Sequence, residues 1–348
     1  ADRLKAQIAA AGPLTVAEYM TACLHDPAGG YYATRPALGE AGDFITAPLI
    51  SQMFGELIGL WAIETWRAMG APQNFVLAEA GPGDGTLMAD LLRAARLAPD
   101  FLSAADLWLI ETSDPLRHIQ AGRLAGGPLK PRWAGALQAL PPGPLILIGN
   151  ELLDCLPPRQ FLRLGDGWSE RRVGLSDGGE LIFGLSPARG DLPDAPEGVL
   201  YEDCASQAGF SGAAAARIAE DGGAALLVDY GRAEPGFGDT LQAIRRHQEV
   251  DPLDDPGSAD LTVHVDFPAV LAAARGAGAQ AALLTQRELL LRLGIEHRAQ
   301  ALALARSDQA EKIGRQLDRL IGIEQMGELF KAACLYSAGL TPPVFEGS

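Results

Sequence analysis

The chain has 348 residues, 48% of them hydrophobic, and a formal net charge of −16. That length supports one enlarged domain or a domain with a subdomain, and 28 Lys and Arg against 44 Asp and Glu argue against a nucleic-acid partner, because backbone-phosphate binding rests on basic residues. Cys23, Cys155, Cys204 and Cys334 form no C-x-x-C pair, so no metal site is expected. No apolar run reaches the roughly 18 residues of a membrane span, and Ala1-Asp2-Arg3-Leu4-Lys5 lacks the apolar core of a secretion signal. A cytoplasmic location without membrane insertion is expected.

Residues 3–25 carry apolar side chains at helical spacing, with Thr15 and Glu18 forming a capping box and His25-Asp26-Pro27 ending the helix. A loop rich in Gly, Pro and Thr leads to Gly42-Asp43-Phe44-Ile45-Thr46. Ile50, Met53, Phe54, Leu57 and Trp61 then trace one face of a long helix over 48–69. Apolar runs predict strands near 75–79, 107–111, 145–149 and 224–229, with a helix over 86–97 between the first two. Ser113 or Asp114 caps a further helix with Pro115 at its first position. Residues 158–185 alternate like hairpin strands around Gly165-Asp166-Gly167. A helix is expected over 205–220, and closing strands at 281–285 and 329–335.

The stretch Phe75-Val-Leu-Ala-Glu79-Ala-Gly81-Pro-Gly83-Asp84-Gly85-Thr86 joins a buried strand to a helix through three glycines. That is the nucleotide-binding corner of an open α/β sheet, where a side chain would block the ligand and the turn needs unusual dihedrals. The spacing is G-x-G-x-G, whereas a dinucleotide fingerprint runs G-x-G-x-x-G and delivers a helix N-terminus to pyrophosphate. Glu79 and Asp84 crowd the turn and would repel a pyrophosphate. They suit S-adenosylmethionine, with its sulfonium, ammonium and ribose diol. Glu111, ending the second strand, is placed to hold ribose hydroxyls.

Ligands in such sheets bind at the carboxyl ends of the strands. Those ends carry Glu79, Glu111, Asn150-Glu151 with Asp154, and Asp229. Acids converging on one crevice call for a cationic partner. If residues 150–154 turn helically, Glu151 and Asp154 face one way and can grip a guanidinium through forked hydrogen bonds. The plainer alternative is an Asn N-cap followed by helix-starting acids. In Asp260–Phe267, alternation sets Leu261, Val263 and Val265 against Thr262, His264 and Asp266. His264 and Asp229 are the candidate proton acceptors.

Taken together, these motifs resemble the MidA family, bacterial relatives of a mitochondrial complex I assembly factor with protein-arginine methyltransferase activity. The resemblance rests on Gly42–Pro48 running into Gln52–Leu57, Glu79–Leu87, Glu111–Arg117, Asn150–Pro157, Val228–Gly231, Asp260–Phe267 and Met326–Lys331. Ala80 stands where the family pattern carries Leu, and Leu153 where it carries an aromatic residue. The resemblance implies a class I S-adenosylmethionine-dependent methyltransferase: a Rossmann-like seven-stranded α/β sheet with an N-terminal helical extension (1–73) and an inserted antiparallel segment (155–220). The core would be 74–154 and 221–348, with a helical insertion near 233–278. It further implies that Gly81, Gly83, Gly85 and Glu111 hold the cofactor and that the loop at Asp43–Thr46 closes over it. From the strand ends themselves, Glu79 and Asn150 are also expected at the cofactor, and Glu151, Asp154, Asp229 and His264 at the acceptor. The implied partner is a protein arginine side chain, with a respiratory complex I subunit as one candidate. Rival readings are a non-catalytic cofactor-binding assembly factor and a nicotinamide-dependent oxidoreductase. The latter is disfavoured by the glycine spacing, and a hydrolase by the lack of a G-x-S-x-G elbow.

Overall fold

The computed structural model describes residues 2–34 and 46–346. Its centre is a sheet whose main path has seven strands, β1 (Phe75–Ala80), β2 (Ala105–Ile110), β3 (Arg132–Ala134), β4 (Leu145–Asn150), β5 (Gly223–Arg232), β6 (Gln280–Thr285) and β7 (Phe330–Tyr336), with the short strand Val265–Asp266 paired to the end of β5 beside that path. The spatial order is β6-β7-β5-β4-β1-β2-β3. Only β7 runs antiparallel to its neighbours β5 and β6; the other pairs are parallel. Strands buried on both faces read as continuous apolar runs, which is why β1, β4 and β5 stood out in the sequence. Alternate residues of β1 and β4 enter opposite layers: Leu77, Ile146 and Ile148 on one side, Val76, Ala78, Leu145 and Leu147 on the other. The short edge strand β3 escaped prediction because three residues carry no readable period.

The helices Gln52–Ala68 and Thr86–Ala95 cover the first layer. They approach closely at Gly55, where a Cβ would lie 2.6 Å from Asp90 Cβ. The long helix expected over 48–69 is broken at Ser51, which is extended (φ −159°, ψ 139°) and caps the second piece by accepting the Met53 amide. The capping box of Thr15 and Glu18 is present, opening the helix Val16–His25. The other layer holds the helices Ala205–Asp221 and Phe267–Gly276, with Ala214, Ala215, Ile218 and Val270 against the sheet.

Strands Arg159–Leu164, Gly167–Leu175, Leu181–Pro187 and Leu200–Asp203 form a separate antiparallel sheet, joined by Leu14–Thr15. The segment near 233–278, expected to be helical, is largely not. It contains a three-stranded sheet, Gln242–Arg245, Gln248–Val250 and Asp260–Thr262, and turns helical only at Phe267–Gly276. Pro235, Gly236, Gly238, Pro252, Pro256 and Gly257 interrupt any helical period there. Tyr19, Met20, Val173, Ala243, Leu261 and Val263 share one core, tying the N-terminal helices to both insertions.

Candidate active site

β1 ends at Glu79-Ala80, and the chain turns through Gly81, Gly83 and Gly85 at φ of 63°, 54° and 83°, a region costly for residues with a Cβ. A Cβ on Gly81 would also lie 2.9 Å from Leu152 Cδ1. Asp84 Oδ1 accepts the Thr86 amide (2.9 Å) at the start of the next helix. Arg123 pairs with Asp84 Oδ2 at 2.7 Å. The repulsion expected from Asp84 is therefore offset by Arg123, and Glu79 is the acid of the turn without a paired cation among the described residues. Burial, then the nearby Asp84 charge, holds the Glu79 carboxyl well above the usual range.

Past the end of β2, Glu111 Oε1 accepts the Ser113 amide (2.8 Å) and Oε2 accepts Gln120 Nε2 (3.2 Å). Burial raises its carboxyl, partly offset by these bonds. Gln120 escaped sequence reasoning. Its Nε2 also donates to the Gly83 carbonyl (2.8 Å), its Oε1 accepts the Trp133 indole N–H (2.8 Å), and it is fully buried. One amide thus links the glycine turn, Glu111 and β3. A mid-helix Gln has no signal of its own; only its distance from the glycine turn in space reveals it.

A cavity of about 530 Å³ opens at the carboxyl ends of β1, β2 and β4, where the strand order reverses. Thr46, Glu79, Gly81, Gly83, Glu111, Asn150, Glu151 and Asp154 all line it. Gly85 stands behind the lining, against Gln120. Asp43 lies outside the described residues. Asp229 and His264 are not part of the lining. The Asp229 carboxylate is filled by backbone: Oδ2 accepts the amides of Leu153 (2.8 Å) and Asp154 (3.2 Å), and Oδ1 that of Tyr230 (2.9 Å). His264 packs edge-on against Tyr230, ring centroids 5.5 Å apart. Burial and the charges of Arg232 and Lys331 lower its proton affinity.

The segment after β4 does not turn helically. Glu151 takes φ +51°, and Asp229 pins the next amides. Glu151 and Asp154 reach the cavity all the same. Glu151 Oε1 accepts Asn150 Nδ2 (2.9 Å) and the Ala47 amide (3.0 Å). Asp260 joins them, receiving the Tyr32 hydroxyl at 2.8 Å. Burial, reinforced by Asp154, pushes Glu151 up to about 8 against the pull of the Ala47 amide. Burial pushes Asp154 up to about 6, opposed by the Tyr230 hydroxyl. Asp229 is raised by burial and by both neighbours. The folded chain therefore holds protons that the unfolded chain has released between pH ~4 and these values, and stability falls as pH rises through that window. Thermal melts from pH 5 to 8 are expected to decline less steeply for Glu151→Gln than for the parent protein.

Buried and without hydrogen-bond partners among the described residues, Glu79 Oε2, Thr86 Oγ1, Asn150 Oδ1 and Thr262 Oγ1 belong to residues that line the same cavity. Orphaned polar atoms that converge on a cavity mark a place for a polar ligand. A carboxylate beside the turn, a braced carboxylate at the next strand and a bare glycine backbone fit the ammonium, the ribose diol and the close approach of S-adenosylmethionine.

Residues 57–285 match a family model described as "Putative S-adenosyl-L-methionine-dependent methyltransferase". The chain belongs to this family. It is 37% identical to "Protein arginine methyltransferase NDUFAF7, mitochondrial" of Danio rerio, across 94% of this chain and 84% of that one. Against the Homo sapiens protein of the same name it is 35% identical, across 93% and 80%. A Burkholderia thailandensis protein described as a "likely methyl transferase", solved "bound to S-adenosyl-homocysteine", superposes with a TM-score of 0.88. It is 27% identical and covers all of this chain and 94% of its own. The protein is thus a methyltransferase of the MidA type, and its cofactor is S-adenosylmethionine. Among the described residues no helix is long and apolar enough to cross a membrane.

Proposed function

We propose that this methyltransferase acts on the guanidinium of an arginine side chain presented by a protein partner. The observation that carries this reading is the acid end of the cavity. Glu151, Asp154 and Asp260 line it, and no Lys or Arg does so among the described residues. Buried carboxylates without a cation are held partly protonated. A guanidinium stays charged at any ordinary pH and presents five donors, so it would satisfy them together. The names of the Danio rerio and Homo sapiens relatives support the same acceptor. A subunit of respiratory complex I is the partner class to test first.

In this reading Glu79, Glu111, Thr46 and Asn150, with the backbone at Gly81 and Gly83 and Gly85 behind it, hold S-adenosylmethionine, which supplies a methyl group on a sulfonium. Glu151, Asp154 and Asp260 hold the guanidinium and draw its charge to one side, leaving the opposite nitrogen a better nucleophile. Asp229 shapes the loop that carries Asp154. Placing two reactants at near-attack distance contributes up to ~7–11 kcal/mol. Incubation with methyl-labelled cofactor and extract from cells lacking the protein, followed by mass spectrometry, tests the acceptor. Label on arginine supports it; label on another residue type, or on none, refutes it.

A further inference from the structure

Arginine methylation leaves a proton to be placed. The guanidinium enters charged and its methylated product leaves charged, so one proton departs from the reacting nitrogen. Asp229 is occupied by three amides and His264 stands off the cavity. Glu151, Asp154 and Asp260 serve by staying ionised against the cation.

His25 is placed differently. It ends the helix Val16–His25, and its ring stacks on that of Tyr32, with centroids 5.7 Å apart. Tyr32 is the residue whose hydroxyl meets Asp260. Through Tyr32 it is linked to one of the three acids, Asp260. Among the described residues lining the cavity, His25 is the sole side chain with a basic nitrogen. It also lines an open groove on the outer surface, with Pro157 and Ser206 opposite its helix. A neutral imidazole carries one donor and one acceptor nitrogen. The groups around it are Tyr32, the Cys155 thiol, and Glu18 and Asp26 in the groove, with Asp26 paired to Arg3. Desolvation of the ring lowers its proton affinity, although the residue as a whole is exposed.

We propose that His25 accepts the proton released from the methylated nitrogen and passes it to water in the outer groove. The N–H electron pair stays on nitrogen, the proton moves to the acceptor ring nitrogen of His25, and the imidazolium returns it to solvent. This inference rests on the arginine reading above.

The test uses the full chain with labelled cofactor, extract from cells lacking the protein, and methylarginine counted after hydrolysis. His25→Ala is expected to lower the rate by roughly 100-fold or more, the usual worth of a general base. Added imidazole should restore activity in a concentration-dependent way. Affinity for S-adenosylhomocysteine by calorimetry should be unchanged, showing an intact fold. A His25→Ala rate close to that of the parent overturns the proposal. So does a loss that imidazole fails to relieve while the nucleoside still binds. No methylarginine even with the parent protein instead refutes the arginine reading beneath it.

Discussion

Replacing Glu151 with Gln is expected to lower methyl transfer by roughly 100-fold, within the range for losing one partner of a buried charge pair, while S-adenosylhomocysteine binds as before. The substitution keeps the side chain's shape and one oxygen for the Ala47 amide, so it removes charge with little repacking. What it removes is the group whose proton affinity the fold raises most clearly toward neutrality, up to about 8. A guanidinium binding beside it must drive that proton off, and a Gln has no charge to offer in return. The loss should appear in both kcat and kcat/KM for the acceptor. The measurement is single-turnover label transfer beside a calorimetric titration of the nucleoside. Undiminished transfer would remove Glu151 from the acceptor site. Equal loss in both measurements would mean that it holds the cofactor.

Glu111→Ala should weaken cofactor binding by roughly 10- to 100-fold, the worth of a hydrogen bond to a charged group. Glu111 is braced at both oxygens, by the Ser113 amide and by Gln120. Its position is therefore set before a ribose arrives, and little ordering cost is left to binding. Truncation also strands Gln120, whose other bonds reach Gly83 and Trp133, so the glycine turn should loosen as well. Calorimetry with S-adenosylhomocysteine checks this. An affinity equal to that of the parent would exclude Glu111 from the ribose site.

The features legible in the sequence are the locally determined ones. Leu145–Ile148 and Ala224–Val228 are apolar without interruption because both faces of a central parallel strand are buried. Gly81, Gly83 and Gly85 are legible because their positive φ is a demand of the turn itself. Glu79, Glu111 and Glu151 follow by rule, since strand ends in such a sheet meet the ligand. Asp229 shows where that rule stops. It also ends a strand, yet its carboxylate turns to the amides of residues 153 and 154, 76 and 75 positions away in the chain.

The central buried strands, the cofactor turn and the acidic character of the strand ends were determined by the sequence alone, because dihedral preference, hydrophobic period and strand polarity act over a few neighbouring residues. Only the tertiary structure decided which acids share the cavity, that Gln120 braces the turn, that Tyr32 meets Asp260 across 228 residues, and that His25 lines both the cavity and the outer groove. These are pairings of distant segments, created by layer packing, and no local pattern encodes them.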